Sequence, residues 1–277
     1  MAEVFDVRDL VRRARVRKRP NVLQSRSKVR LDPGSMAERW DREWIPYFRR
    51  APEYFDDFSA PNDDVRRRIE RVNGALTTPF DSERGPVDPD NPVWSIWAIG
   101  CRPGEIVDRD LVDLGCGAGG IGRTISYLSR SYLGVDYSPL ALRVAQLVSP
   151  ASCEYVVRTD QATLARRADS FDTAFSRSVF IHQNFQQGVD LAALAACLLR
   201  SGGVLAVDFY RPERDEHGAL RKPLRPAKGL LDPAQPSVSY FYTDAEIDEV
   251  GKAAGLTLEA IFEAPERNWR IGRFRKP

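Results

Sequence analysis

A chain of 277 residues that is 43% hydrophobic and 29% charged can bury one large α/β core with an additional lobe, which excludes a disordered chain and a disulfide-stapled miniprotein. Its cysteines, Cys101, Cys116, Cys153 and Cys197, form no C-x-x-C pair, and His182 and His217 stand at no ligand spacing from them, so no metal site and a reducing, cytoplasmic setting are expected. The formal net charge is only +2, and the longest apolar helical run, Leu191 to Leu199, stops at Arg200, too short to span a bilayer.

Met1 to Asp9 is acidic and lacks an apolar core, so no secretory signal is expected. Between Arg8 and Arg30 stand ten Lys or Arg residues against one acid, Asp9, a density that could hold a polyanion by releasing its counterions. Arg supplies most of the 41 basic residues throughout the chain, however, so local enrichment carries less weight. Residues 1–35 are therefore expected to be a solvated or partly helical basic arm, with nucleic acid as the alternative partner. Over 36–105, RWDREWIPYFRRAPEYFDDF and DDVRRRIERVNGAL read as short amphipathic helices separated by proline turns, with PVDPDNP a loop before VWSIWAIG. This stretch is expected to be a helical lobe capping the substrate. Trp94 and Trp97 share a helix face and read as core rather than as a substrate wall.

From residue 106 to 277 the pattern becomes strand, loop, helix, repeated. LVDL is a buried strand, followed by a glycine-rich turn and GIGRTISYLSR as a helix; SYLGVD is a second strand, and SPLALRVAQLV its helix, with Ser138 at the N-cap and Pro139 at the first helical position. CEYVVRTD and SFDTAFSRS are two further strands, and LAALAACLLR is a helix leading through SGG into VLAVDFY. Such alternation predicts a mostly parallel sheet with helices on both faces and ligands at the carboxyl ends of its strands. A loop over 210–242, roughly thirty residues long, carries five prolines and Arg211, Arg214, Arg221, Lys222, Arg225 and Lys228; loops of that length are usually functional. Thr243 and Glu246 then form a capping box for the last helix, before the strand-like TLEAIFEA and NWRIGRFRK.

The stretch LVDLGCGAGGIG, residues 111–122, places Gly115, Gly117 and Gly119 where the first strand turns into its helix, a position where backbone N–H groups and a positive helix end can approach a ligand. Asp136 ends the second strand about 20 residues after the first of these glycines, where a carboxylate can accept both ribose hydroxyls of a nucleoside. GAGGIG also satisfies the dinucleotide pattern, so an NAD-dependent oxidoreductase remains open. Asp113 argues against it, because a carboxylate beside the turn suits a cationic amino acid portion and repels a pyrophosphate. Asp160, ending the third strand, is placed to accept from an adenine amino group.

VDLGCGAGG, GVDYSP, RTDQATL, FDTAFSRSVFIH and LLRSGGVLAVDFY, in this order and spacing, resemble the sequential motifs of class I S-adenosylmethionine-dependent methyltransferases. The resemblance covers about residues 109–210 and implies a Rossmann-like seven-stranded sheet of order 3-2-1-4-5-7-6 with strand seven antiparallel, here with an N-terminal helical extension. It implies S-adenosyl-L-methionine as cofactor: Gly115, Gly117 and Gly119 around its methionine and ribose portion, with Cys116 between them as a small filler without chemistry, and Asp113 near the amino group. Asp136 would take the ribose hydroxyls, Tyr137 would lie along the adenine, Asp160 and Gln161 would read its edge, and Ser176 and Arg177 would border the sulfonium. Plainer roles stand beside these: a tight turn for the glycines, a helix cap for Asp136, an exposed loop acid for Asp160.

If the acceptor must lose a proton, His182, just past the fourth strand, is the candidate base, with pocket shaping or helix capping as its alternative. No RNA-binding module and no N-P-P-Y motif is present. The expected activity is therefore methylation of an O or N atom of a small molecule, the alternatives being RNA or protein methylation through the basic arm and, further off, NAD-dependent oxidation.

Overall fold

In a computed structural model, the structure describes residues 21–24, 26, 36–50, 100–210, 238–263 and 269–277. In chain order the elements are β1 (Asn21–Gln24), α1 (Met36–Arg50), a 3₁₀ turn at Pro103–Glu105, β2 (Asp110–Leu114), α2 (Gly122–Ile125), β3 (Ser131–Asp136), α3 (Pro139–Val148) and β4 (Cys153–Val157). There follow α4 (Gln161–Ala165), β5 (Phe171–Ser176), a 3₁₀ turn at Phe180–His182, α5 (Phe185–Leu198), β6 (Leu199–Tyr210), β7 (Val238–Phe241), α6 (Asp244–Ala253), β8 (Thr257–Glu263) and β9 (Trp269–Arg275). Trp94, Trp97, His217 and nearly all of the 210–242 loop lie outside the described residues.

Neighbouring residues of the central strands serve opposite faces, as a two-residue period requires. Val112, Leu114, Leu133, Val135, Ala174, Leu205 and Val207 belong to one core, completed by Leu191, Leu194 and Leu198 of α5 and Ile247 and Val250 of α6. Leu111, Tyr132, Phe175 and Ala206 belong to a second core on the other face, with Ile106 and Ile125. Both faces are covered, so these strands read as almost continuous apolar runs.

The strands β4-β3-β2-β5-β6-β9-β8 lie in that order, all parallel except β9, which runs antiparallel to β6 and β8. Renumbered along the core alone this is 3-2-1-4-5-7-6, as expected. Two strands are additional. β6 outruns β5, whose last partner is Val207, and its Tyr210 pairs with Phe241 of β7. β1 then pairs in parallel with β7 along its whole length. A stretch read as arm and the end of a stretch read as loop thus add a two-stranded ribbon above the carboxyl end of the sheet.

Three boundaries differ from the sequence reading. α5 starts at Phe185 rather than Leu191, because Asn184 and Gln187 form a capping box. β6 begins at Leu199 and runs through the SGG segment, with a register shift opposite Phe171 and Thr173. α2 is only four residues long, leaving most of the glycine elbow outside any helix. Ser138 caps α3 with Pro139 at its first position, and Thr243 and Glu246 cap α6 reciprocally, both as expected. Thr243→Ala removes one half of the second box and is expected to cost about 1 kcal/mol. That loss should appear as a lower urea midpoint with an unchanged m value.

Candidate active site

β2 lies between β3 and β5, so the segments leaving its carboxyl end diverge over a cavity of about 420 Å³. One wall carries Asp113, the Gly115–Gly117 backbone, Asp136 and Tyr137; the other, beyond β5, carries Arg177, Val179 and Gln183. Gly115 (φ +85°) allows the two segments to approach, since a Cβ there would fall 2.2 Å from a Val179 methyl. Gly117 (φ +54°) lies under an indole: its missing Cβ would meet Trp44 at 2.3 Å. Gly119 has a different use, making room for the Tyr155 hydroxyl, and borders the core rather than the cavity.

Four of the elbow's N–H groups are already engaged within the chain. Gly115 and Cys116 donate to the Val135 carbonyl at 2.6 and 3.2 Å, Gly119 donates to the Cys116 carbonyl, and Gly117 donates to Asp136 Oδ2 at 2.9 Å. Of the three glycines expected to offer amides to a ligand, each has its own N–H spent within the chain, whereas Ala118, Gly120 and Ile121 line the cavity beside the start of α2. What Gly115 and Gly117 supply is room and a fixed carboxylate. Asp136 is held on its other oxygen by the Ser138 N–H at 2.8 Å. Burial raises its pKa against the opposing pull of those backbone hydrogen bonds.

Asp113 is 1% exposed and accepts from the Tyr132 hydroxyl at 2.7 Å. Burial, reinforced by the nearby Asp136, pushes it up to about 7 in spite of that hydrogen bond. Cys116 lines the cavity with its thiol pushed up by burial, which fits a filler. Arg177 lines the cavity while its guanidinium pairs with Asp208, whose two oxygens also accept the Ser178 N–H at 2.9 Å. That anchoring holds Ser178 at φ +61°, unusual for a residue with a side chain.

The other sequence candidates lie around this cavity rather than on its wall. Ser176 donates to the Leu114 carbonyl at 2.6 Å and ties the ends of β5 and β2 together. Asp160 is the exposed N-cap of α4, accepting from the Thr163 N–H, and Gln161 donates to the Arg158 carbonyl; from this strand end it is Arg158 that reaches the cavity. His182 stands edge-on to Trp40, ring centroids 5.2 Å apart.

Sequence reasoning passed over the roof. Met36, Trp40 and Trp44 of α1 line the cavity from above. Their spacing of four places them on one helix face, a signal present in the sequence but shared with any buried helix stripe. Asp41, on the same helix, accepts from the Ser138 hydroxyl and from the Leu140 N–H at 3.2 Å, fixing α1 to the start of α3. No group of His, Cys, Asp or Glu suited to a metal occurs among the described residues, and none of their helices is long and apolar enough to cross a membrane.

Residues 112–207 match a family model described as a methyltransferase domain. Among solved structures, an S-adenosylmethionine-dependent methyltransferase from Mesorhizobium loti is 20% identical, over 66% of this chain and 98% of that one, with a TM-score of 0.50. The magnesium protoporphyrin IX methyltransferase of Synechocystis, with S-adenosylhomocysteine bound, is 18% identical over 80% of this chain and 97% of its own, with a TM-score of 0.49. A TehB-like methyltransferase from Corynebacterium glutamicum is 16% identical over 78% and 100%, with a TM-score of 0.46. No curated protein matches the chain.

The buried Asp113 gives a titration test. Its folded pKa, about 7, lies above the ordinary 3.8, so its contribution to stability is complete below the ordinary value and is lost as pH rises through about 7. Asp113→Asn should therefore gain on the parent chain between pH 4 and 7, with a slope approaching about 1.4 kcal/mol per pH unit, and level off above. Urea unfolding across that window reads the difference; a flat difference would contradict the burial account.

Proposed function

We propose that the chain, whose residues 112–207 match a methyltransferase domain, uses S-adenosyl-L-methionine as its cofactor and methylates an oxygen or nitrogen atom of a small molecule. The reading is carried by two carboxylates in one cavity, Asp113 buried without a cation and Asp136 fixed by two backbone N–H groups. A cationic ligand with a diol answers both.

When bound, the cofactor supplies a methyl group already activated by a sulfonium. The chain's residues then have to bind, align and exclude water. Asp136 retains lone pairs for ribose hydroxyls, since each carboxylate oxygen can accept twice. Asp113 is drawn to its ionised form by a neighbouring ammonium. The rings of Trp40 and Trp44 favour a cation beneath them and keep water out. Holding acceptor, methyl and sulfur in line can contribute roughly 7–11 kcal/mol. Asp160 and Gln161 would act on the adenine only from outside the cavity wall.

Against a dinucleotide stand the same two carboxylates, which repel a pyrophosphate. Against a polyanion acceptor stands Arg26, engaged with Glu246 and Glu249 and lying 4.3 Å over the Phe185 ring.

Calorimetry should show S-adenosylhomocysteine binding to the parent chain and at least tenfold weaker binding to Asp136→Ala, with no heat from NAD. Heat from NAD and none from the nucleoside would reverse the assignment. His182→Asn is expected to lower kcat by less than about tenfold if the imidazole supports Trp40; a loss of about 10²–10⁴ would instead mark it as the general base.

A further inference from the structure

Beyond β5, the cavity wall bears three polar side chains at intervals of four and three residues: Gln183, Gln187 and Asp190. Gln183 is only 4% exposed as a residue, but its side-chain amide, which makes no hydrogen bond to a described residue, is not among the sealed-off polar atoms and opens onto the cavity. An amide that opens onto a cavity takes its hydrogen bonds from what the cavity holds. Gln187 uses its Oε1 to accept the Asn184 N–H at 3.0 Å, leaving its NH₂ free to donate; Asp190 accepts from Gln186 through Oδ1 and has Oδ2 to spare.

The charges nearby decide what is recognised. Arg177, the cation on this wall, is paired with Asp208, so Asp190 contributes an unbalanced negative charge. Arg158 stands at the end of β4, on the other side of β2. Overhead are Trp40 and Trp44 of α1; Trp40 packs edge-on with His182 on this same side and has the Arg39 guanidinium 5.5 Å from its ring centroid, leaving the other side of the ring for a ligand.

We propose that this half of the cavity is the acceptor subsite, built for a planar ring compound that carries amino or hydroxyl donors and no negative charge, with Gln183 as its specificity-determining residue. Trp40 stacks on the ring, Gln183 and Gln187 fix its polar edge, and Asp190 selects against anions. The inference rests on the cofactor reading above, which places the nucleoside on the Asp113 and Asp136 wall.

Three indoles of matched shape test it: tryptamine, tryptophol and indole-3-acetate, titrated into the full chain saturated with S-adenosylhomocysteine and, separately, into the chain alone. Tryptamine and tryptophol are expected to bind, and indole-3-acetate at least tenfold more weakly. Gln183→Leu should weaken the first two at least fivefold while leaving the nucleoside's affinity and the Tm unchanged or the Tm raised, because the amide it removes has no partner to lose. Asp190→Asn, a change on an exposed helix position, should weaken tryptamine more than tryptophol and provides the test if Gln183→Leu does not fold. Absence of probe binding, equal binding of the anion, or indifference of binding to both variants would overturn the subsite. Failure of S-adenosylhomocysteine to bind would instead overturn the cofactor reading, while the titrations of the chain alone still decide the subsite.

Discussion

The carboxylate of Asp136 accepts the Gly117 N–H with one oxygen and the Ser138 N–H with the other, and the shape of the cavity follows from that double acceptance. It ties the elbow after β2 to the turn after β3. Ser138 then passes the constraint outward, because its hydroxyl donates to Asp41 while its oxygen caps α3. Asp41 brings α1 with it, and Trp44 of α1 returns to Gly117. The circuit closes on itself, so roof and floor are positioned by one set of contacts. The tight turn at Gly117 and the α3 cap at Ser138 are thus joined through Asp136, which itself caps no helix.

Legibility in the sequence tracked how local each signal was. LVDL, SYLGVD and SFDTAFS are short apolar runs between turn residues, and they became β2, β3 and β5 because strands covered on both faces leave that mark. The caps at Ser138 and Thr243 were readable because each is settled within four residues. The start of α5 was not, since FQQGVD looks polar until Asn184 and Gln187 are recognised as a reciprocal pair. Nothing local marks Asn21–Gln24 as a strand: its partner, Val238–Phe241, lies more than two hundred positions away.

At the site, Asp113, Asp136 and the first two glycines could be found because strand ends and elbows have fixed offsets. The roof could not, because Met36, Trp40 and Trp44 look the same whether they face a core or a cavity. The polar stripe was hidden for a related reason. Gln183 follows a 3₁₀ turn whose direction depends on Ser178 being held at positive φ by Asp208, thirty residues further on.

The sheet topology has a consequence for how the chain is made. β9, which follows the other described strands in the sequence, is inserted between β6 and β8, and β8 has no other partner among the described residues. Until Trp269–Arg275 has left the ribosome, one edge of β6 therefore stays open and β8 has nowhere to dock, so the nascent chain carries an exposed strand edge from the completion of β6 at Tyr210 until β9 is made.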